Sequence, residues 1–240
     1  MRISVWLSGC MALVMAAGLQ AKDLDNIGDL DQQEFRELSE DLGAMVSYKG
    51  LQPPAPLGLI GFNVGVDITH TLVENSDAWE TATGGNNVDS ITMARIRASK
   101  GLPWGVDVGA SYTRAPESDI EVTGIEGRYA ILEGSPVSPS LGVRAAYTRL
   151  SGVDELSLDT RSLDISVGQQ MANLTPYAGL GRVWVRSRSD APGIEREEFS
   201  DTKLFVGAQM RFLVGRLALE VDQTGDATSL NAMFSIGLGG

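Results

Sequence analysis

Residues 104–113 read WGVDVGASYT and alternate apolar and polar side chains without a break. A period of two is the mark of a β-strand, whose successive side chains point to opposite faces. Trp104, Val106, Val108, Ala110 and Tyr112 share one face, and Gly105, Asp107, Gly109, Ser111 and Thr113 share the other. The pattern alone leaves open whether the apolar face looks into a packed core or out into lipid.

The design repeats along the chain. Over 58–73, Ile60, Phe62, Val64, Val66, Ile68 and Leu72 oppose Gly61, Asn63, Gly65, Asp67, Thr69 and Thr71; 139–150 and 200–212 follow suit, with Phe205 the one misfit. Ten strand candidates emerge: 58–73, 89–100, 104–114, 119–132, 139–150, 156–170, 174–188, 200–212, 215–224 and 228–238. Most are far longer than the five or so residues usual in globular sheets. No helical stretch interrupts them, which removes the α/β architectures. The expected fold is all-β: an antiparallel up-and-down transmembrane β-barrel of ten strands, within a range of eight to twelve.

The connections sort onto two rims. Gly101-Leu102-Pro103, Gly134 to Ser138, Met171-Ala172-Asn173 and Leu213-Val214 are short, whereas Glu74 to Val88 and the charged Ser189 to Phe199 are long. Short turns on one rim and longer polar loops on the other are the habit of membrane barrels.

Upstream of the strands the texture differs. Residues 1–21 carry Arg2, an apolar run from Ile3 to Leu19 and the small Ala21, the pattern of a cleaved signal peptide. Leu7-Ser8-Gly9-Cys10 also looks like a lipoprotein cleavage box, but a cut there would leave the more apolar Met11 to Gly18 on the mature chain. Cys10 is the only cysteine, so a chain cut after Ala21 has no disulfide and no thiolate site. Residues 22–56 are acidic. They read as a short amphipathic helix or extended lead-in with a brief strand from Leu42 to Tyr48, and are expected to be a solvated tail, with plug and tether as alternatives. The barrel domain then covers 57–240.

The chain has 31 acidic and 19 basic residues, a formal net charge of −12, which argues against a nucleic-acid partner. Orientation follows from what accompanies the charges. The polar faces carry Gly, Ser, Thr and Asn with scattered Asp and Arg, and small residues suit the concave side of a narrow barrel. Trp104 and Tyr112 share a face roughly 21 Å apart along the axis, close to the ~25 Å apolar band with aromatic edges. Phe62, Tyr129, Tyr147, Tyr177 and Phe234 are expected in the same girdles. A soluble periplasmic carrier, with the apolar faces turned inward, is the rival arrangement.

In pattern, residues 57–240 resemble the small outer-membrane β-barrel proteins of Gram-negative bacteria. The resemblance implies an outer-membrane location, lipid as the surrounding partner and insertion by the usual machinery. One departure stands out: such chains commonly finish on an aromatic residue that the machinery reads, whereas Phe234 lies six residues before the end.

With polar faces inward, the lumen is expected to hold Asp67, Asp107, Glu126, Asp164, Glu220 and Asp222 against Arg95, Arg97, Arg128, Arg144, Arg182, Lys203 and Arg211. Near-balanced charges in a confined interior are expected to pair across strands and close the lumen. The faces of 156–170 and 174–188, which bear Asp164 and Arg182, are the hardest to read. His70 is the only histidine, lies in register with the lipid-facing set and has no local Ser/His/Asp pattern around it. Asp154-Glu155 and Asp222 to Asp226 lack the spacing of a calcium loop, and the glycines at 179–181 and 237–240 fall in or at the end of strands. No catalytic residue, metal or cofactor is expected, and no ligand is assigned. The expected role is structural or interactive, with a narrow channel gated by 22–56 and a lipid-modifying enzyme using His70 as alternatives.

Overall fold

A computed structural model describes residues 24, 26–114, 120–153 and 155–239. The expected signal peptide over 1–21, with Cys10, lies outside the described residues, as do Asp154 and the first residues of the acidic segment. Ten antiparallel strands close into one barrel: β1 (Phe62–Leu72), β2 (Ser90–Gly101), β3 (Val106–Arg114), β4 (Glu121–Leu132), β5 (Ser140–Val153), β6 (Leu156–Gly168), β7 (Leu174–Ser189), β8 (Glu197–Phe212), β9 (Gly215–Thr224) and β10 (Ala227–Leu238). Each strand pairs with its neighbours in sequence, and β1 closes on β10 with Phe62 opposite Leu238 and Thr71 opposite Ser229. Closure leaves no strand edge unpaired, the condition for crossing a bilayer with strands.

Two strands start later than their alternation implies. Gly58 takes a positive φ of 78° and the chain turns there, so β1 begins at Phe62. Trp104 adopts a left-handed φ of 61° in the β2–β3 turn, so β3 begins at Val106. Alternation can run on through a turn because it reads only side-chain type.

The outer wall of β1–β10 is apolar over most of its height. Val64, Ile96, Val108, Ile125, Ile165, Leu180, Val206, Leu219 and Ile236 all stand exposed. A continuous belt of this kind has no counterpart on soluble monomers, and hydrocarbon is the solvent that suits it. The architecture is that of an outer-membrane β-barrel.

Residues 24–57 correct the expected solvated tail: they fill the barrel. Helix α1 (Gln32–Val46) runs through the stretch where a brief strand over Leu42–Tyr48 was expected. Asp31 caps it, accepting from Gln33 N and Glu34 N at 2.8 and 2.9 Å, while the Glu34 carboxylate accepts from Asp31 N at 2.8 Å. That reciprocal box satisfies amides otherwise left without partners in the first turn. Phe35, Leu38, Leu42 and Met45 recur at helical spacing and are buried. A second, short helix, α2 (Ser76–Ala82), interrupts the long β1–β2 connection, where only loop was expected. It buries Ala78, Trp79 and Ala82 in the same apolar cluster as α1, which explains why an otherwise polar loop folds back over the mouth.

The segment threads the barrel from one rim to the other. At the long-loop rim, Gln32 Nε2 donates to the Glu195 carbonyl at 3.2 Å and Glu195 N donates to Gln32 Oε1 at 2.8 Å. Residues 47–57 then run without regular structure, broken by Pro53, Pro54 and Pro56, to Leu57. Leu57 N donates to Asp107 Oδ1 at 3.0 Å beside the β2–β3 turn, at the short-turn rim.

Candidate functional site

The inner wall changes character with height. Near the long-loop mouth it is apolar: Ile91, Met93, Val122, Leu150, Leu158, Val183 and Val185 pack around Phe35, Leu38, Leu42 and Val46 of α1. Below α1 the wall is charged, and the strap formed by residues 47–57 passes through it.

The wall's basic side chains take the strap's backbone carbonyls. Arg95 donates to Ser47 O at 3.4 Å, Lys203 Nζ to Tyr48 O at 2.7 Å, and Arg97 to Lys49 O and Gly50 O at 2.8 and 3.0 Å. Arg128 donates to Pro53 O at 3.4 Å. An extended strap cannot satisfy its own carbonyls, so these bonds supply what a helix or sheet ladder would. The wall's acids meet the strap as well: Leu51 N donates to Glu220 Oε2 at 3.2 Å, and the Lys49 ammonium bonds Asp222 Oδ1 at 2.7 Å with both groups buried.

The remaining charge pairs run between strands. Asp67 sits between Arg95 Nε at 3.0 Å and Arg97 Nε at 2.8 Å. Arg128 pairs with Asp107 at 2.8 Å, and Arg144 pairs with Asp164 through Nε at 2.8 Å and Nη2 at 2.5 Å. The Arg97 guanidinium lies 5.3 Å from the Tyr48 ring centroid, and that of Arg144 lies 5.5 Å from Phe205. Phe205, the misfit in its strand, therefore faces inward as a stacking surface. Both carboxylate oxygens of buried Glu126 lack a hydrogen-bond partner among the described residues. Arg211 is half-buried at the short-turn mouth, lining a small cleft with Arg216 and Gln52.

Two expected positions are corrected. Arg182 is exposed on the outer wall, where its Nε donates to Ser200 Oγ at 3.0 Å. Tyr177 is no girdle residue; it is 3% exposed inside the lumen, and its hydroxyl donates to Glu220 Oε2 at 3.0 Å. Both lie on β7, whose inward set is Tyr177, Gly179, Gly181, Val183 and Val185. There the inward face runs from Tyr177 and two glycines to the valines that pack against α1, while the outward face turns from apolar to arginine, so residue type misassigns the face.

Of the other expected aromatics, Phe62, Tyr129 and Phe234 are exposed on the outer wall, and Trp104 projects from its turn at 89% exposure. Tyr112 and Tyr147 lie nearer the long-loop rim, donating to Glu121 and Asp159 at 2.9 and 2.5 Å. Trp184 joins them, and sequence reasoning passed over it because its strand could not be phased. Lys49, Tyr48 and Arg216 were also missed. The first two sit in the presumed tail, and their one local signal was the capping box Asp31-x-x-Glu34, which marks the chain around them as ordered.

His70 faces the outer wall, where its Nδ1 lies 2.9 Å from Thr92 Oγ1. Among the described residues no cluster of three or more His, Cys, Asp or Glu is arranged to hold a metal ion.

No family model and no curated protein matches the chain. Several solved outer-membrane barrels do. The translocator domain of the autotransporter NalP from Neisseria meningitidis matches at 10% identity and a TM-score of 0.37, over 86% of this chain and 94% of that one. Ail of Yersinia pestis, in complex with a heparin analogue, matches at 11% and 0.29, over 74% and 95%. A loop-deletion form of OmpT from Vibrio cholerae matches at 14% and 0.34 over 61% of this chain, which spans about half the length of the OmpT structures.

Proposed function

We propose that the protein is a closed outer-membrane barrel with a structural or interactive role, its lumen sealed at rest by its own residues 24–57. The observation that carries this reading is the binding of five consecutive or near-consecutive strap carbonyls, from Ser47 to Pro53, by basic side chains of the wall. Above the strap, α1 and Trp79 fill the mouth with apolar side chains. Planar-bilayer recording of the refolded full chain is expected to show no conductance steps. Steps from the full chain would overturn the closed reading.

A gated channel is the second reading, and the polar character of the strap's attachment favours it. Withdrawing residues 47–57 would leave a lumen lined by charge rather than a collapsed apolar core, a wall that water can wet. Deleting 24–56 is expected to produce small conductance steps if the strap is a gate. A silent deletion variant that keeps heat-modifiable gel mobility would remove the channel reading and leave the structural one.

The role we propose is non-enzymatic. Supporting it, His70 stands on the outer wall with a threonine as its partner. A His70→Ala strain is expected to keep its lipid A and phospholipid profiles unchanged; altered acyl chains would restore the lipid-modifying alternative. The site of action on this reading is the outer membrane, with bilayer lipid as the surrounding partner.

A further inference from the structure

The outer wall is not apolar to the top. On β6 the outward set runs Val167, Ile165, Leu163 and then Arg161 and Asp159; on β7 it runs Ala178, Leu180 and then Arg182, Trp184, Arg186 and Arg188. Leu163 is paired with Arg182, Arg161 with Trp184 and with Tyr147, so the switch occurs at one level on adjacent strands. That level is where hydrocarbon ends on the long-loop side, and Trp184 and Tyr147 stand at it as interfacial aromatics do.

Charge at this edge is one-sided. Arg149, Arg161, Arg182, Arg186 and Arg188 share the sector with only two outward carboxylates on β5–β8, Asp159 and Glu198. Both carboxylates are engaged: Asp159 accepts from Tyr147 at 2.5 Å with Arg149 at 3.9 Å, and Glu198 meets Arg186 at 2.8 Å and Arg196 at 3.1 Å. Neither Arg161 nor Arg182 forms a salt bridge among the described residues; Arg182 bonds Ser200 and acts on Asp201 only through space. Around the barrel, the same edge of β1, β2, β9 and β10 presents His70, Thr92, Gln223 and Thr228 instead. On β3 the same edge carries Arg114, which is matched by Glu121 of β4 at 4.0 Å, so in a chain of net charge −12 the excess of outward arginines over carboxylates falls in the one sector. A cleft of ≈ 540 Å³ opens there, lined by Tyr147, Arg161, Trp184 and Arg186 together with the two engaged carboxylates, and Arg182 reaches it through its bond to Ser200 of the lining.

From this juxtaposition we infer that the outer wall of β5–β8 binds the phosphorylated headgroup of an outer-leaflet lipid, with Arg161 and Arg182 as the phosphate forks. Planar guanidinium groups match phosphate oxygens two at a time, and aromatic rings at the same level pack against the sugar or glycerol body of a headgroup. The acyl chains of such a lipid would lie on Leu163, Leu180 and Leu204 immediately below, which are exposed for them. A free anion gains only the charge; a lipid gains both halves of the site. The inference is independent of whether the lumen conducts.

The test uses the full chain in phosphatidylcholine nanodiscs, probed with bis-phosphorylated lipid A, with the same lipid A stripped of phosphate, and with inorganic phosphate. Wild-type protein is expected to retain the phosphorylated lipid with an affinity about tenfold or more above that of Arg161→Ala/Arg182→Ala, and to lose the preference as salt rises. It should retain the phosphate-free lipid no better than the variant does. Equal retention of the two lipids by wild type, a comparison that needs no variant, overturns the inference. So does an unchanged affinity in a double variant with normal heat-modifiable mobility. Competition by inorganic phosphate at concentrations equal to the lipid overturns the lipid assignment in favour of a free-anion site.

Discussion

Asp67 illustrates what a single side chain does in this lumen. It is buried and its two oxygens each hold a guanidinium, so removing its charge strands Arg95 and Arg97 together in a site from which water is largely excluded. Breaking a buried pair from one side typically costs about 3–5 kcal/mol, because the remaining charge stays desolvated. Asp67→Asn is therefore predicted to lower stability by that order in denaturant titration, a loss that an equal unfolding midpoint for both proteins would contradict. Asp41 behaves differently. It sits on α1 at the long-loop mouth, accepting from Asn75 N at 3.1 Å and Trp79 Nε1 at 3.0 Å, with Glu40 and Glu74 lining the same small cavity. Burial outweighs these donors and holds its carboxyl above the ordinary aspartate range. With the folded value above the unfolded one, folding takes up a proton. Asp41's contribution is then most favourable at low pH and is lost as pH rises through the folded value. The thermal midpoint of wild-type protein, relative to Asp41→Asn, is predicted to rise as pH falls from neutrality towards the ordinary aspartate value of about 4. A difference that is flat with pH would show that this carboxyl does not titrate with folding.

At the scale of elements, α1 and the barrel wall are fitted to one another at Gly43. A Cβ there would lie 2.7 Å from one Val185 methyl and 3.0 Å from the other, closer than real contacts permit. Gly43→Leu is predicted to push α1 off the wall at a cost of about 1–3 kcal/mol, the usual range for overpacking a core. Limited proteolysis reads this directly, since residues 24–57 should become cleavable while the strands stay protected. The helix was partly legible in advance: Leu30, Phe35, Leu38 and Leu42 have helical spacing, and the acidic residues among them suggested a solvated face. Where that acidic face would end up was not legible. Arg36 spans Glu40 and Glu197 and lies 4.0 Å from the Phe199 ring centroid, so the charged side of the helix is met by β8 as well as by water. β6 and β7 were hard to phase for a related reason. Their polar and apolar sets exchange faces midway, at Arg161–Leu163 and Leu180–Arg182, and a strand that changes environment along its length has no single period-two assignment.

For the whole molecule, orientation of the wall is the proposition on which the rest depends. Spin labels at Val64, Val108 and Val206, all exposed on the outer wall, are predicted to report acyl chains and high oxygen accessibility in reconstituted bilayers. Water-like mobility or a packed protein environment at those three positions would mean that the apolar belt faces something other than lipid. By itself the sequence pointed to ten strands within a range of eight to twelve, and to their antiparallel order, the two unequal rims and the inward position of residues such as Asp67, Arg97, Asp107 and Arg144. Those properties follow from alternation within one strand and from the lengths of the links between strands, both of which are local. Only the tertiary structure decided that residues 24–57 return through the barrel and that Tyr177 turns inward while Arg182 turns out. It also placed outward arginines together on three neighbouring strands, β5 to β7. A side chain's face depends on what lies opposite it and on its height relative to the hydrocarbon, and neither quantity exists until the barrel has closed around the plug.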